Sequence, residues 1–397
     1  MDLLNIIILL GLGLTVISVL SLIFERFFFP SILAFIAIGV AVGFFWDGNE
    51  VFKVAGEIGI ILLFFLLGLK FPLTELVKRM KQVWKAGVLD IALAFGVTIG
   101  IALLFGLDFS QAFLIGAVLY ATSSSISARL LERNTDKHED IKEFVLALLI
   151  FEDIFAPLIL TVAPFIIQDE PIAFSDIGKV FVGFLVFGVL LFVGSRFVTK
   201  QPKIAKHMLL QDDASIGLIG LILFFAGIGM IFGLSEILGA FIAGIMLAGI
   251  HDVRPLKRLT VPVRDLFLPI FFISFGISIN LEQGVIINTL FFVLIVWGVL
   301  SKWIVGRVGG RLYGLTRIQA NEAGFSLAPR GEFSILFTAL SNGAINLFVG
   351  LYIFVSAIIG IVLFRFSESL AAKMEQTLKR VLPEETDRKS DQTDKGD

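Results

Sequence analysis

The chain has 397 residues, of which 57% are hydrophobic and 17% charged, with 42 phenylalanines and a mean hydropathy of +0.95. That composition lies outside the soluble globular range and describes an integral membrane protein. A formal net charge of −2 gives no reason to expect a nucleic-acid partner, and zero cysteines exclude disulfides, thiolate metal sites and thiol catalysis.

The start, MDLLNIIILLGLGLTVISVL, has neither a basic leading segment nor a small-residue cleavage site, so it reads as a first spanning helix and not a removed signal. Crossing about 30 Å of hydrocarbon takes roughly 20 apolar residues. About thirteen such stretches follow in order, at 3–23, 28–46, 52–70, 86–106, 111–131, 143–167, 177–198, 215–233, 234–250, 266–280, 285–310, 320–342 and 345–365. The expected fold class is an all-α polytopic membrane protein. The eighth and ninth stretches are separated only by FGLSE and are read as two helices.

Basic residues set the expected orientation. With the N-terminus outside, 28 of the 32 Lys and Arg fall on the cytoplasmic side and only Lys53 and Lys179 outside, leaving Lys302 and Arg330 within spans. An odd helix count with the C-terminus in the cytoplasm follows. Residues 1–366 form the expected transmembrane domain, and 367–397 a charged cytoplasmic tail, amphipathic at first and then disordered. Below about 40 residues such a tail holds no domain of its own. A regulatory domain is therefore expected on a separate soluble chain.

Two stretches carry interruptions. In the fifth, Thr122, Ser123, Ser124, Ser125 and Ser127 form a hydroxyl cluster that competes for backbone hydrogen bonds; in the twelfth, Pro329, Arg330, Gly331 and Glu332 break the helix. Broken helices at membrane depth persist where the freed backbone is buried or lines a cavity. Seven helices apart, the two breaks run in opposite directions, as an inverted repeat matching helices 2–6 with 9–13 requires.

The sixth stretch, LALLIFEDIFAPLILTV, places Glu152 and Asp153 side by side in hydrocarbon. An ionisable group at the bilayer centre costs about 2.5–3.5 kcal/mol on insertion scales, so a function is the preferred reading. Neighbours on a helix point about 100° apart, so one acid lines a cavity while the other contacts an adjacent helix. A buried carboxylate that alternates between a proton and a monovalent cation performs exchange. Lys302 is the lysine well inside a span, read as counter-ion, as proton carrier or as snorkelling to the inner surface. Arg330 and Glu332 are expected to neutralise half-helix ends. Glu57, Glu236 and Glu322 lie near predicted helix ends and are expected at the interface.

Six stretches occur in order: GEIGIILLFFLLGLK at 56–70, AFLIGAVLYATSSSISARLLER at 112–133, LLIFEDIFAPLIL at 148–160, GLSEILGAFIAGIMLAG at 233–249, FFISFGISIN at 271–280 and RGEFSILF at 330–337. Together they resemble the monovalent cation:proton antiporter-2 family, which includes the Kef-type potassium efflux transporters. The resemblance implies thirteen helices in an inverted-repeat sodium/proton antiporter-like fold, with dimerisation and core subdomains and two broken helices crossing beside Asp153. It also implies a homodimer, and places Lys302 where many relatives carry a membrane lysine. Two residues depart from the pattern: Glu152 stands where Kef-type proteins have Gln, and Asn280 where Asp is common. The C-terminal nucleotide-binding domain of Kef-type proteins has no counterpart within these residues.

The expected function is exchange of K+ (or NH4+) for H+ across the cytoplasmic membrane, with the ions as substrates and no cofactor. Asp153 is the expected shared site, Glu152 and Thr122, Ser123, Ser124 and Ser125 line it, and Lys302, Arg330 and Glu332 balance charge. A Na+(Li+)/H+ antiporter is the alternative within transport and a gated cation channel the one outside it. No HExxH or GxSxG signature supports an enzyme.

Overall fold

A computed structural model describes residues 3–26, 31–46, 48, 50–133, 137–167, 174–200, 214–250, 252–279, 289–339 and 344–381, and the described residues are helical with no strand. In chain order the helices are α1 (Leu3–Arg26), α2 (Ser31–Gly43), α3 (Glu50–Gly68), α4 (Leu73–Leu104), α5 (Phe109–Tyr120), α6 (Ser124–Arg133), α7 (Glu139–Ile167) and α8 (Phe174–Lys200). There follow α9 (Ala214–Ile231), α10 (Glu236–Leu247), α11 (Arg254–Ile277), α12 (Thr289–Tyr313), α13 (Arg317–Ser326), α14 (Glu332–Ala339), α15 (Ala344–Arg365) and α16 (Ser367–Val381). Every apolar stretch of the sequence maps onto one helix, or onto the broken pairs α5/α6 and α13/α14. Among the described residues, seven helices are long and apolar enough to cross a membrane. Large apolar side chains such as Phe45, Leu104 and Ile216 stand on the outer surface, as a lipid-facing belt requires.

Two helices start earlier than hydropathy indicates. The first turns of α4, LTELVKRMKQVWK, are amphipathic, and α11 opens on Arg254 with proline in its first turn. Charged residues at helix ends lower the apolar average without ending the helix, because their heads reach water while the backbone continues. The separation of α9 from α10 is set by Gly233, whose φ of +71° suits glycine, and by Ser235, whose hydroxyl caps α10 by accepting from Leu238 N at 3.2 Å.

The helices pack in two groups. In one, α3 and α2 lie along α11, and α10 sits between α3, α8 and α9. In the other, α4 packs on α7 and α12, α5 on α7 and α14, and α13 on α12 and α16. Small residues bring backbones together where no hydrophobic drive operates between helices in lipid. A Cβ on Gly306 of α12 would overlap the Gly324 backbone of α13, and one on Gly68 of α3 would overlap the Phe241 carbonyl of α10.

Both α4 and α12 contain a π-helical segment, at Ile91–Val97 and Val305–Gly309. These two helices each precede a broken pair, and so occupy equivalent places in the repeat. Such widened turns often mark functional sites. The residues at their edges, Asp90 and Lys302, meet at the site described next.

Candidate ion-exchange site

The two breaks lie against each other. Ser123 N donates to Pro329 O at 2.9 Å, Ser334 Oγ to Val118 O at 2.8 Å, and Thr122 Oγ1 to Leu327 O at 3.3 Å. A side chain on Gly331 would collide with Ser123, so glycine there permits the crossing. Unwound backbone is thus paired across the crossing within the protein, which is what membrane depth demands.

Four half-helix ends converge here, and charged side chains meet three of them. Lys302 Nζ donates at 2.7 Å to Tyr120 O, the last residue of α5, where the dipole end is negative. Glu152 accepts from Thr122 N at 2.6 Å and Thr122 Oγ1 at 3.1 Å, just ahead of the positive end of α6. Ser123 Oγ accepts from Ile126 N at 3.3 Å within the first turn of α6. At the second break, Arg330 donates to Leu327 O at 3.4 Å and Gly298 O at 3.0 Å. Thr122, Ser123, Glu152, Lys302 and Arg330 are all at most 1% exposed.

Lys302 also bonds Glu152 Oε1 at 3.0 Å and Asp90 Oδ2 at 2.8 Å. Its three acceptors match the three N–H donors of an ammonium. Burial of Lys302 inside this cluster excludes the snorkelling reading: its side chain is 0% exposed. Asp153, one position on from Glu152, is 4% exposed and within electrostatic reach of the Tyr120 hydroxyl. One acid is therefore pinned by α6 and Lys302, while its neighbour occupies a different face of α7. Pro157 supplies no N–H to the Asp153 carbonyl one turn earlier, which loosens α7 beside the acids. The side chains of Ser125 and Glu332, and all of Asn280, lie outside the described residues; Ser124 is half-buried at the start of α6.

Residues 12–368 match the family described as sodium/hydrogen exchanger, transmembrane. The chain belongs to that family. It is a multi-pass membrane antiporter exchanging monovalent cations for protons, a secondary transporter and not an enzyme. Among relatives of the exchanger is the ammonium/H+ antiporter subunit AmhT of Alkalihalophilus pseudofirmus, 41% identical over 91% of this chain and 93% of that one. The K+/H+ antiporter subunit KhtU of Bacillus subtilis is 26% identical over 93% and 95%, and the high-affinity Na+/H+ antiporter NhaS3 of a Synechocystis strain 27% over 75% and 66%. The fold is similar to that of the sodium proton antiporter MjNhaP1 from Methanocaldococcus jannaschii, with a TM-score of 0.64, 17% identity and coverage of 94% of this chain and 99% of that one.

Sequence reasoning missed two charged residues of the exchanger. For Asp90, in GVLDIALAF, the available signal is an acid inside a span. Lys137, between α6 and α7, is buried and bonds Glu322 Oε1 at 2.6 Å, Ser367 Oγ at 2.8 Å and Ser326 Oγ at 3.2 Å. Burial pushes the Lys137 ammonium below its ordinary value, and Glu322 opposes that shift. Glu322 is thus buried within the protein against Lys137.

Proposed function

We propose that the protein exchanges NH4+ or K+ for H+, with Asp153 as the carboxylate that proton and cation occupy in turn. One observation carries this: two adjacent buried carboxylates, Glu152 and Asp153, stand beside a crossing of two broken helices, with Glu152 held by Lys302 and Thr122. Carboxylate, hydroxyl and carbonyl oxygens are hard ligands of the kind alkali cations take. NH4+ is close to K+ in size, so one oxygen-lined site admits both. Two relatives named for ammonium and for potassium support that pairing. In this reading Thr122, Ser123, Ser124 and Ser125 supply hydroxyl or carbonyl oxygens, and Lys302, Arg330 and Glu332 balance charge.

Glu152 supports a second reading, Na+(Li+)/H+ exchange, because it departs from the Gln of Kef-type transporters; NhaS3 is named for that activity. Kef-type affiliation, a homodimer, a cytoplasmic C-terminus and a separate soluble regulatory subunit belong to the same proposal. The 28-to-2 basic asymmetry supports the orientation. Everted vesicles carrying a pH-sensitive dye, challenged in turn with K+, NH4+, Na+ and Li+, test the ion choice. Dequenching by K+ and NH4+ is the expected result. A response to Na+ and Li+ alone overturns it in favour of the second reading.

A further inference from the structure

Asp90 is 0% exposed, lies about 25 Å along α4 from its start at 1.5 Å per residue, and accepts from Lys302 at 2.8 Å. Its other oxygen, Oδ1, has no hydrogen-bond partner, and neither has the buried Tyr120 hydroxyl. A carboxylate kept only to hold helices together would have both oxygens satisfied. Asp90 and Lys302 also join the two repeat-related helices, Asp90 immediately before one π-helical segment and Lys302 three residues before the other.

The charged groups around this point are Lys302 from α12, Glu152 and Asp153 from α7 and Arg330 from the second break, with the Tyr120 hydroxyl from α5. Among these described side chains, counting Asp90, the carboxylates exceed the cations by one charge, the charge of one monovalent cation or one proton. Without Asp90 the same group is neutral. Lys302 would then cancel Glu152, and a cation would enter a site with no net attraction.

We propose that Asp90 is a positioning residue of the exchange: it offsets the charge of Lys302 and holds its ammonium, leaving the Glu152–Asp153 pair negative enough to take a cation. This rests on the assignment of the exchange site to that pair. Asp90 acts through Lys302 and does not touch the ion.

The test uses purified full-length protein in liposomes with a pH-sensitive dye and titrated K+ or NH4+, whichever the wild type transports. Asp90→Asn is expected to raise the apparent KM for the cation at least about tenfold, with the maximal rate within about threefold. Asp90→Asn combined with Lys302→Gln restores the charge balance and is expected to bring KM below that of Asp90→Asn, though above wild type because the Lys302 bond to Glu152 is lost. Asp90→Glu, which keeps the charge, is expected to keep KM low. An unchanged KM in Asp90→Asn, a lost maximal rate there, or a double variant as impaired as the single overturns the proposal. If Asp90→Asn alone fails to insert, Asp90→Glu decides, because it keeps the charge that balances Lys302: a KM raised about tenfold there overturns the proposal. Asp153→Asn in the same assay separates the two ideas. Exchange retained there removes the site, whereas a silent Asp90→Asn beside a dead Asp153→Asn removes only the role of Asp90.

Discussion

Glu152 is held by three hydrogen bonds at the crossing, and they define what its replacement does. It accepts from Lys302, Thr122 N and Thr122 Oγ1. In Glu152→Gln one carboxylate oxygen becomes an NH2 group that faces a donor, so a buried hydrogen bond is lost. The expected cost is about 1–3 kcal/mol, read as a lower midpoint in thermal unfolding in detergent, together with a changed preference between K+ and Na+. An unchanged midpoint and unchanged selectivity would contradict the clamp. Charges in hydrocarbon are conspicuous, which is why Glu152, Asp153 and Lys302 were legible in the sequence. Asp90 was not, because the basic run from Lys70 to Lys85 places the predicted span start at 86, one turn away from it. Only the helical continuity from Leu73 shows how deep Asp90 lies.

At the scale of elements, helix existence followed from hydropathy, and both breaks from Ser, Pro and Gly clusters. Pairings between elements were not legible, since small residues permit close approach without naming the partner. Gly306→Leu is expected to destabilise the protein by about 1–3 kcal/mol through collision with Gly324. Gly217→Leu, where a Cβ meets nothing, serves as the neutral control in the same unfolding measurement. Equal midpoints would show that α12 and α13 do not approach this closely. A second element-level consequence concerns α16, held by Lys137 through Ser367 and by Glu375 at 3.6 Å from Arg307 and 3.8 Å from Arg317. Lys137→Met strands Glu322 as an unpaired buried acid, a loss of about 3–5 kcal/mol. Limited trypsin digestion is expected to cut at Lys373 sooner in that variant than in wild type; identical digestion rates would mean that the contact does not retain α16.

For the whole molecule, composition identified the membrane class, and the odd spacing of the breaks indicated an inverted repeat. Ion identity stayed illegible, because K+, NH4+ and Na+ accept the same oxygen donors and differ in size by less than side-chain spacing reveals. The exchange itself has a simpler physical basis, one carboxylate that proton and cation cannot hold together. Asp153→Asn keeps the shape and removes the titratable charge. With the variant inserted at wild-type level in everted vesicles, loss of cation-dependent proton movement for K+, NH4+, Na+ and Li+ is the result this account predicts. Cation-dependent proton movement at the wild-type rate would contradict it.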